Sequence, residues 1–245
     1  VAPECTFAMA TGSNIHNCIA NNDGGGVINH GTFQMHGGTI SACTTVAFGG
    51  GGVCNKGTFI MSDGMIKGCT SPDGQYASGG GVRNSNQFTM TGGTIGDPDN
   101  QNDASSVYNT SSQETTLTIS NNAKIHTNVT NVGILNADGG EMTGKVTNGN
   151  EYGTGTITGS EGDTGTIRKG TFKNEVINES SGTINGGTFT GAITNNDGTV
   201  LDGDFSGATL NGMLVITFDP NNGDQPSTQK VNWSGTHRTG SRSHQ

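Results

Sequence analysis

The stretch GGGVINHGTFQMHGGTI, from Gly24 to Ile40, returns as GGGVCNKGTFIMSDGMI from Gly50 to Ile66 and as GGGVRNSNQFTMTGGTI from Gly79 to Ile95. Near-copies at this period mark a chain built from small structural units, none of which buries its own apolar face alone. Val27, Val53 and Val82 occupy one slot at steps of 26 and 29 residues, and the Phe33–Phe59–Phe88 and Met35–Met61–Met90 series take the same two steps. Apolar slots that keep their order while the spacing varies predict the coils of a solenoid with loops of unequal length.

The residues around each core position predict strands. Thr32-Phe33-Gln34, Thr58-Phe59-Ile60, Thr171-Phe172-Lys173 and Thr188-Phe189-Thr190 alternate an aromatic with small or mostly polar neighbours, a period of two. Gly, Thr and Asn dominate and no stretch keeps a 3.6-residue period, so helix is not expected. Each copy runs in the same order, which requires parallel stacking rather than hairpins; handedness is not written in the residues, and the general bias of parallel crossovers is the ground for expecting a right-handed stack. The fold class is therefore all-β: a right-handed parallel β-helix. Only 29% of the residues are hydrophobic, a fraction that suffices when stacking joins a few inward side chains per coil into continuous columns.

Phe7 and Met9 place a first coil near the start, with Ile15 in the slot of Ile40 and Ile66. Val107-Tyr108-Asn109 and then Ile134-Leu135-Asn136 continue the V-x-N series, so Asn29, Asn55, Asn84, Asn109 and Asn136 are expected to stack as an amide ladder. Leu117 takes the Phe slot and Met142 follows it. The spacing then contracts: Met142, Ile157, Phe172, Phe189 and Phe205 lie 15, 15, 17 and 16 residues apart, and Asn178, Asn195 and Asn211 trail the last three by six. This reading divides the chain into a wide-coil β-helix over 1–137, a narrow-coil β-helix over 138–212 and a terminal piece over 213–245. About ten rungs at ~4.8 Å give a rod on the order of 45–50 Å long.

Eleven Lys and Arg stand against 20 Asp and Glu, for a net charge of −9. With no basic cluster, nucleic acid and anionic membranes are poor partners, and no apolar run approaches the roughly 20 residues of a membrane helix. The opening VAPEC carries no signal-peptide pattern, so export has to be read from architecture. The five cysteines Cys5, Cys18, Cys43, Cys54 and Cys69 contain no C-x-x-C pair, which argues against a zinc ribbon or redox motif. Cys18, Cys43 and Cys69 each follow their coil's Ile by three residues. They form a column, read either as small buried apolar residues or as neighbours close enough for one disulfide.

The GGGV-x-N, GTF-x-M and GGTI elements are similar to the right-handed β-helix repeats of large bacterial surface or adhesin-like proteins, closely over about 1–137 and loosely over 138–212. From Met213 the pattern changes, and Val215-Ile-Thr-Phe218, Asp219, Asn222-Gly223 and Gln229-Lys-Val231 resemble the start of a Listeria–Bacteroides repeat, a small β-grasp-like module of bacterial surface proteins. These resemblances imply an extracellular or cell-surface location and a non-enzymatic stalk or adhesin that binds a glycan or host surface protein. An open end of the stack also invites end-to-end self-association. The same broad class includes pectin-lyase-like enzymes, so a polysaccharide lyase or glycoside hydrolase is the alternative. That chemistry needs carboxylates grouped on one face, and here Glu141 and Asp204 share a slot with Thr156, Thr171 and Thr188 expected between them.

Candidate binding residues lie in two insertions that lengthen the wide coils, Ser71–Ser78 and Gly96–Ser106. They are Asp73 and Tyr76, the latter with Trp233 as a possible sugar-stacking ring, and Asp97, Asp99, Asn100 and Asp103. Asp97, Asp99 and Asp103 supply the hard oxygen ligands that calcium takes, without the Gly and distal Glu of an EF-hand loop; no other cofactor is implied. The pairs Thr116/Thr118, Thr156/Thr158 and Thr188/Thr190 resemble the flat face of ice-binding solenoids, although β-propensity explains Thr there equally well.

Overall fold

The computed structural model describes residues 1–72, 79–100, 103–110, 115–149, 155–158, 160–161, 167–168, 170–218 and 227–236. Every regular element among them is a strand, and the strands stack as a parallel β-helix. A twelve-stranded sheet carries the T-F-x-M and G-T-I legs of the coils. A ten-stranded sheet carries the V-x-N segments, nine parallel strands followed by one antiparallel strand. Where a coil turns from the T-F-x-M leg to the G-T-I leg it passes through Gly38, Gly64 or Gly93, at φ of 84°, 100° and 80°. A side chain at that left-handed angle would be strained.

The V-x-N sheet pairs Val27, Val53, Val82, Val107, Val129, Val146, Val176, Ile193 and Leu210 in sequence. The coil after Asn109 therefore uses Val129-Thr130-Asn131, not Ile134-Leu135-Asn136. The ladder runs from Asn29 through Asn55, Asn84, Asn109, Asn131, Asn148 and Asn178 to Asn195, each Nδ2 donating to the next Oδ1 at 2.7–2.9 Å. All eight side chains are buried. Asn136 instead stands on the outer face and donates to Thr118 Oγ1 at 3.3 Å, and Asn211 pairs with Thr194 off the ladder. The two triplets look alike locally, but only Asn131 meets an amide above and below, and burying an amide without partners is costly.

That one-strand difference reorganises the expected core. Leu135, not Met142, sits above Leu117 in the Phe slot, and Ile157 and Ile184 continue that column. Met142 pairs with Ile125, and Phe172 pairs with Met142 and Phe189 in the column of Ile40, Ile66 and Ile95. The aromatic rings thus form two stacks on two legs of one sheet. Phe7, Phe33, Phe59 and Phe88 stack with centroids 4.3–5.4 Å apart on the first leg. Phe172, Phe189 and Phe205 stack at 4.7 and 5.1 Å on the second. Early coils pair Phe with Ile (Phe59 with Ile66), and late coils pair Ile with Phe (Ile184 with Phe189). Each of these cross-sections holds one ring and one aliphatic chain, so no ring-bearing coil has to fit two rings.

Narrow coils are present, at 17-residue steps from Val129 to Val146 and from Val176 to Ile193, but between them lies a 30-residue coil from Val146 to Val176. At the far end Thr209–Phe218 leaves the last coil and pairs antiparallel with Ser227–Thr236. The antiparallel strand covers the open edge of the V-x-N sheet, where further parallel pairing would otherwise begin.

Two substitutions test this register. Asn84→Ala removes the donor to Asn109 and the acceptor for Asn55, and is expected to cost about 2–4 kcal/mol; Asn136→Ala is expected to cost less than about 1 kcal/mol. Urea midpoints followed by circular dichroism separate the two, and equal losses would return Asn136 to the ladder. Ile66→Phe adds a second ring to a coil already filled by Phe59, and is expected to cost about 1–3 kcal/mol. Adding Phe59→Ile should recover at least half of that loss.

Candidate functional site

The residue after each second-leg core position lies on one edge of the rod. Successive coils tie this edge by backbone bonds from Gly96 to Ile66, His126 to Ile95, Thr143 to Ile125, Lys173 to Met142 and Thr190 to Phe172. From this edge the insertion that begins at Gly96 (φ 88°) projects as a wall. Beside it lies a cleft of about 620 Å³ lined by Asp97, Asn100, Asp103, His126, Asn128 and Asn174, with Thr143 and Gly144 at its floor. Pro98 and Ala104 add small apolar patches.

The wall is held by its own acids. Asp103 accepts from the backbone N–H of Gly68 at 3.0 and 3.1 Å, of Asp97 at 2.8 Å and of Ser105 at 2.8 Å. Asp97 forms an ion pair with Lys67 at 3.0 Å and accepts from Asp99 N–H at 3.1 Å. These two contacts, led by the Lys67 hydrogen bond, hold the Asp97 carboxyl below the usual range. Thr127 Oγ1 donates to the Ser105 carbonyl at 2.9 Å and fastens the end of the insertion to the next coil.

The floor comes from the following coils. His126 Nδ1 is 2.7 Å from Thr143 Oγ1, which leaves Nε2 as the ring nitrogen for a ligand. Burial lowers its pKa, Lys124 and Lys173 push the same way, and Glu141 opposes them, so the imidazole is neutral at neutral pH. Asn128 Oδ1 accepts from Lys145 N–H at 3.2 Å, and Asn174 Nδ2 donates to the Thr143 carbonyl at 3.1 Å. Ion pairs between coils flank the floor: Lys173 with Glu141 at 2.7 Å and Lys145 with Glu175 at 3.2 Å. The cleft therefore offers amides, hydroxyls, a neutral imidazole and carboxylates whose oxygens already accept protein hydrogens.

Of the residues singled out from sequence, Asp97, Asn100 and Asp103 line this cleft together, and Asp99 caps Asp97 beside it. Asp73 and Tyr76 lie outside the described residues, as does the Trp233 side chain. Among the described residues no group of three or more His, Cys, Asp or Glu is arranged to hold a metal ion. His126, Asn128, Thr143 and Asn174 were missed because setting His126 against Thr143 depends on pairing Ile125 with Met142, a register the repeat spacing did not give. Glu141 and Asp204 do share a column, with Thr171 and Thr188 between them, while Thr156 belongs to the other leg. The Thr pairs make no single lattice. Ile134 and Asn136 separate Thr116/Thr118 from Thr156/Thr158, and Thr188 lies on the second leg.

Lys67→Met is expected to move the Asp97 titration, followed by carboxyl carbon NMR, upward into the ordinary carboxylate range while leaving the chemical shifts of the distant Asn ladder in place. An unmoved Asp97 would show that Lys67 is not what holds its charge. No family model, curated protein or solved structure matches this chain.

Proposed function

We propose that the chain is a non-enzymatic recognition and spacer module of a secreted or wall-attached surface protein, and that it binds a glycan in the cleft beside Asp97–Asp103. The observation that carries this reading is the cleft itself, about 620 Å³, a volume usual for small-ligand sites. Its lining of Asn128, Asn174, Thr143, His126 and Asp97 suits a ligand rich in hydroxyl and amide groups. The supports of these side chains are coils locked by the amide ladder, so little ordering cost attends binding. Loops on a rigid scaffold are where recognition usually sits. The cell-surface setting rests on the resemblance of the repeats to adhesin-like β-helices.

The commitments of the acids support binding over glycosidase chemistry. Asp97 is paired with Lys67 and Asp103 accepts backbone N–H groups, so neither is placed as the protonated partner of a glycosidase pair. A polysaccharide lyase or hydrolase is the competing class, with the neutral His126 as its base.

An array of mucin-type and polyuronide oligosaccharides, run beside a turnover assay on the same sugars, tests the proposal. Binding without product is expected. Asn174→Ala and Asn128→Ala should each weaken the best array ligand about tenfold, the loss of roughly one hydrogen bond. Product release by the intact chain would replace the binding reading with the enzymatic one, and an empty array would leave a spacer.

A further inference from the structure

The corner between the G-T-I leg and the V-x-N sheet holds a line of sulfur atoms that the proposed function does not use. Ile19 pairs with Thr44 and Thr44 with Thr70, so the preceding residues Cys18, Cys43 and Cys69 stand one above another. Thr44 N–H donates to the Cys18 carbonyl at 2.8 Å and Thr70 N–H to the Cys43 carbonyl at 2.9 Å. All three side chains fold the same way, with Sγ 3.5, 3.3 and 3.4 Å from the carbonyl two residues back. Cys43 Sγ also lies 3.8 Å from the Ile15 carbonyl and Cys69 Sγ 3.9 Å from the Ile40 carbonyl, each on the coil before it. Strands ~4.8 Å apart fall inside the roughly 4.4–6.8 Å Cα separation of disulfides.

Access along this line is graded. Cys43 and Cys69 are fully buried, whereas Cys18 is partly exposed. The third glycine of each GGG triplet forms the inner wall: a Cβ on Gly26 would lie 3.3 Å from Cys43 Sγ, and one on Gly52 3.3 Å from Cys69 Sγ. Beyond Cys69 the column passes from sulfur to oxygen at Ser105, whose Oγ accepts from Cys69 N–H at 2.8 Å. A reagent in solution thus meets Cys18 first and reaches Cys43 only through it.

We propose that Cys18 and Cys43 are a reactive thiol pair that closes to a disulfide between the first two coils by exchange with a low-molecular-weight disulfide. Cys18, as thiolate, attacks one sulfur of the small disulfide; that S–S bond breaks and one small thiolate leaves. Cys43 then loses its proton and attacks Cys18 Sγ, and the second small thiolate leaves. The protein loses two thiol hydrogens as it is oxidised, and the small disulfide is reduced to two thiols that take up those protons. Burial raises the Cys43 pKa, so the second step limits the rate and quickens as pH rises. Cys69 has the same spacing to Cys43 but no route to solvent, and Cys5 and Cys54 lie outside the line.

The full chain, reduced, freed of reductant and left folded with oxidised glutathione at pH 8, tests this. Mass spectrometry after alkylation under denaturing conditions should show Cys18 linked to Cys43, with Cys5, Cys54 and Cys69 free of that link. Cys43→Ser should halt at a glutathione adduct on Cys18, and Cys69→Ser should form the Cys18–Cys43 link at a rate within about twofold of the parent. A lasting glutathione adduct on Cys18 of the parent chain, with Cys43 still alkylated, would overturn the proposal. So would a link that forms only once the chain is unfolded. Because the parent and Cys69→Ser carry the main readouts, an unstable Cys43→Ser leaves the test intact.

Discussion

Each buried asparagine from Asn29 to Asn178 directs its amide to the coil beyond it, and this axial bonding is the constraint on which the rest of the architecture depends. Asn84 Nδ2 reaches Asn109 Oδ1 and also the Thr116 carbonyl of the adjoining leg, so one side chain joins two coils and two sheets. A coil taken alone has neither partner. Its amide would be buried unsatisfied, and its apolar residues would face water. Stability is thus a property of neighbours, and register errors are penalised at every level at once.

The core obeys a second constraint, at most one stacked ring in each described coil. The Phe7–Phe88 stack occupies one leg and the Phe172–Phe205 stack the other. Between them, Leu117 with Ile125 and Leu135 with Met142 form coils without a ring. Parallel strands hold the rings near the strand spacing, where near-parallel offset stacking is favourable. Two rings in one coil would crowd the same space, and the chain never places them there among the described coils.

The cleft follows from the same stacking. Its wall is one insertion, but its floor draws on His126, Asn128, Thr143 and Asn174, which come from successive coils along the rod. The wall was legible in sequence as an acidic, amide-rich loop. Its acids prove to be braces: Asp103 gathers backbone donors, and Asp97 pairs with Lys67 one coil away. Carboxylates clustered in a short loop thus gave no measure of how many oxygens remain for a ligand, because the donors that occupy them come partly from the preceding coil.

The amino-acid sequence by itself determined the repeat, its parallel order, the early Phe, Met and Ile columns, the cysteine line and the first four rungs of the ladder. These rest on slots repeated closely enough that a single register satisfies them. Tertiary structure alone decided which strand the later triplets join, placing Asn131 inside and Asn136 outside, moving the late rings to the second leg and assembling the cleft floor. The reason is physical: V-x-N and I-L-N have the same local pattern of apolar and polar residues. Only the hydrogen bonds offered by the coils above and below distinguish the asparagine that gains two partners from the one better left on the surface.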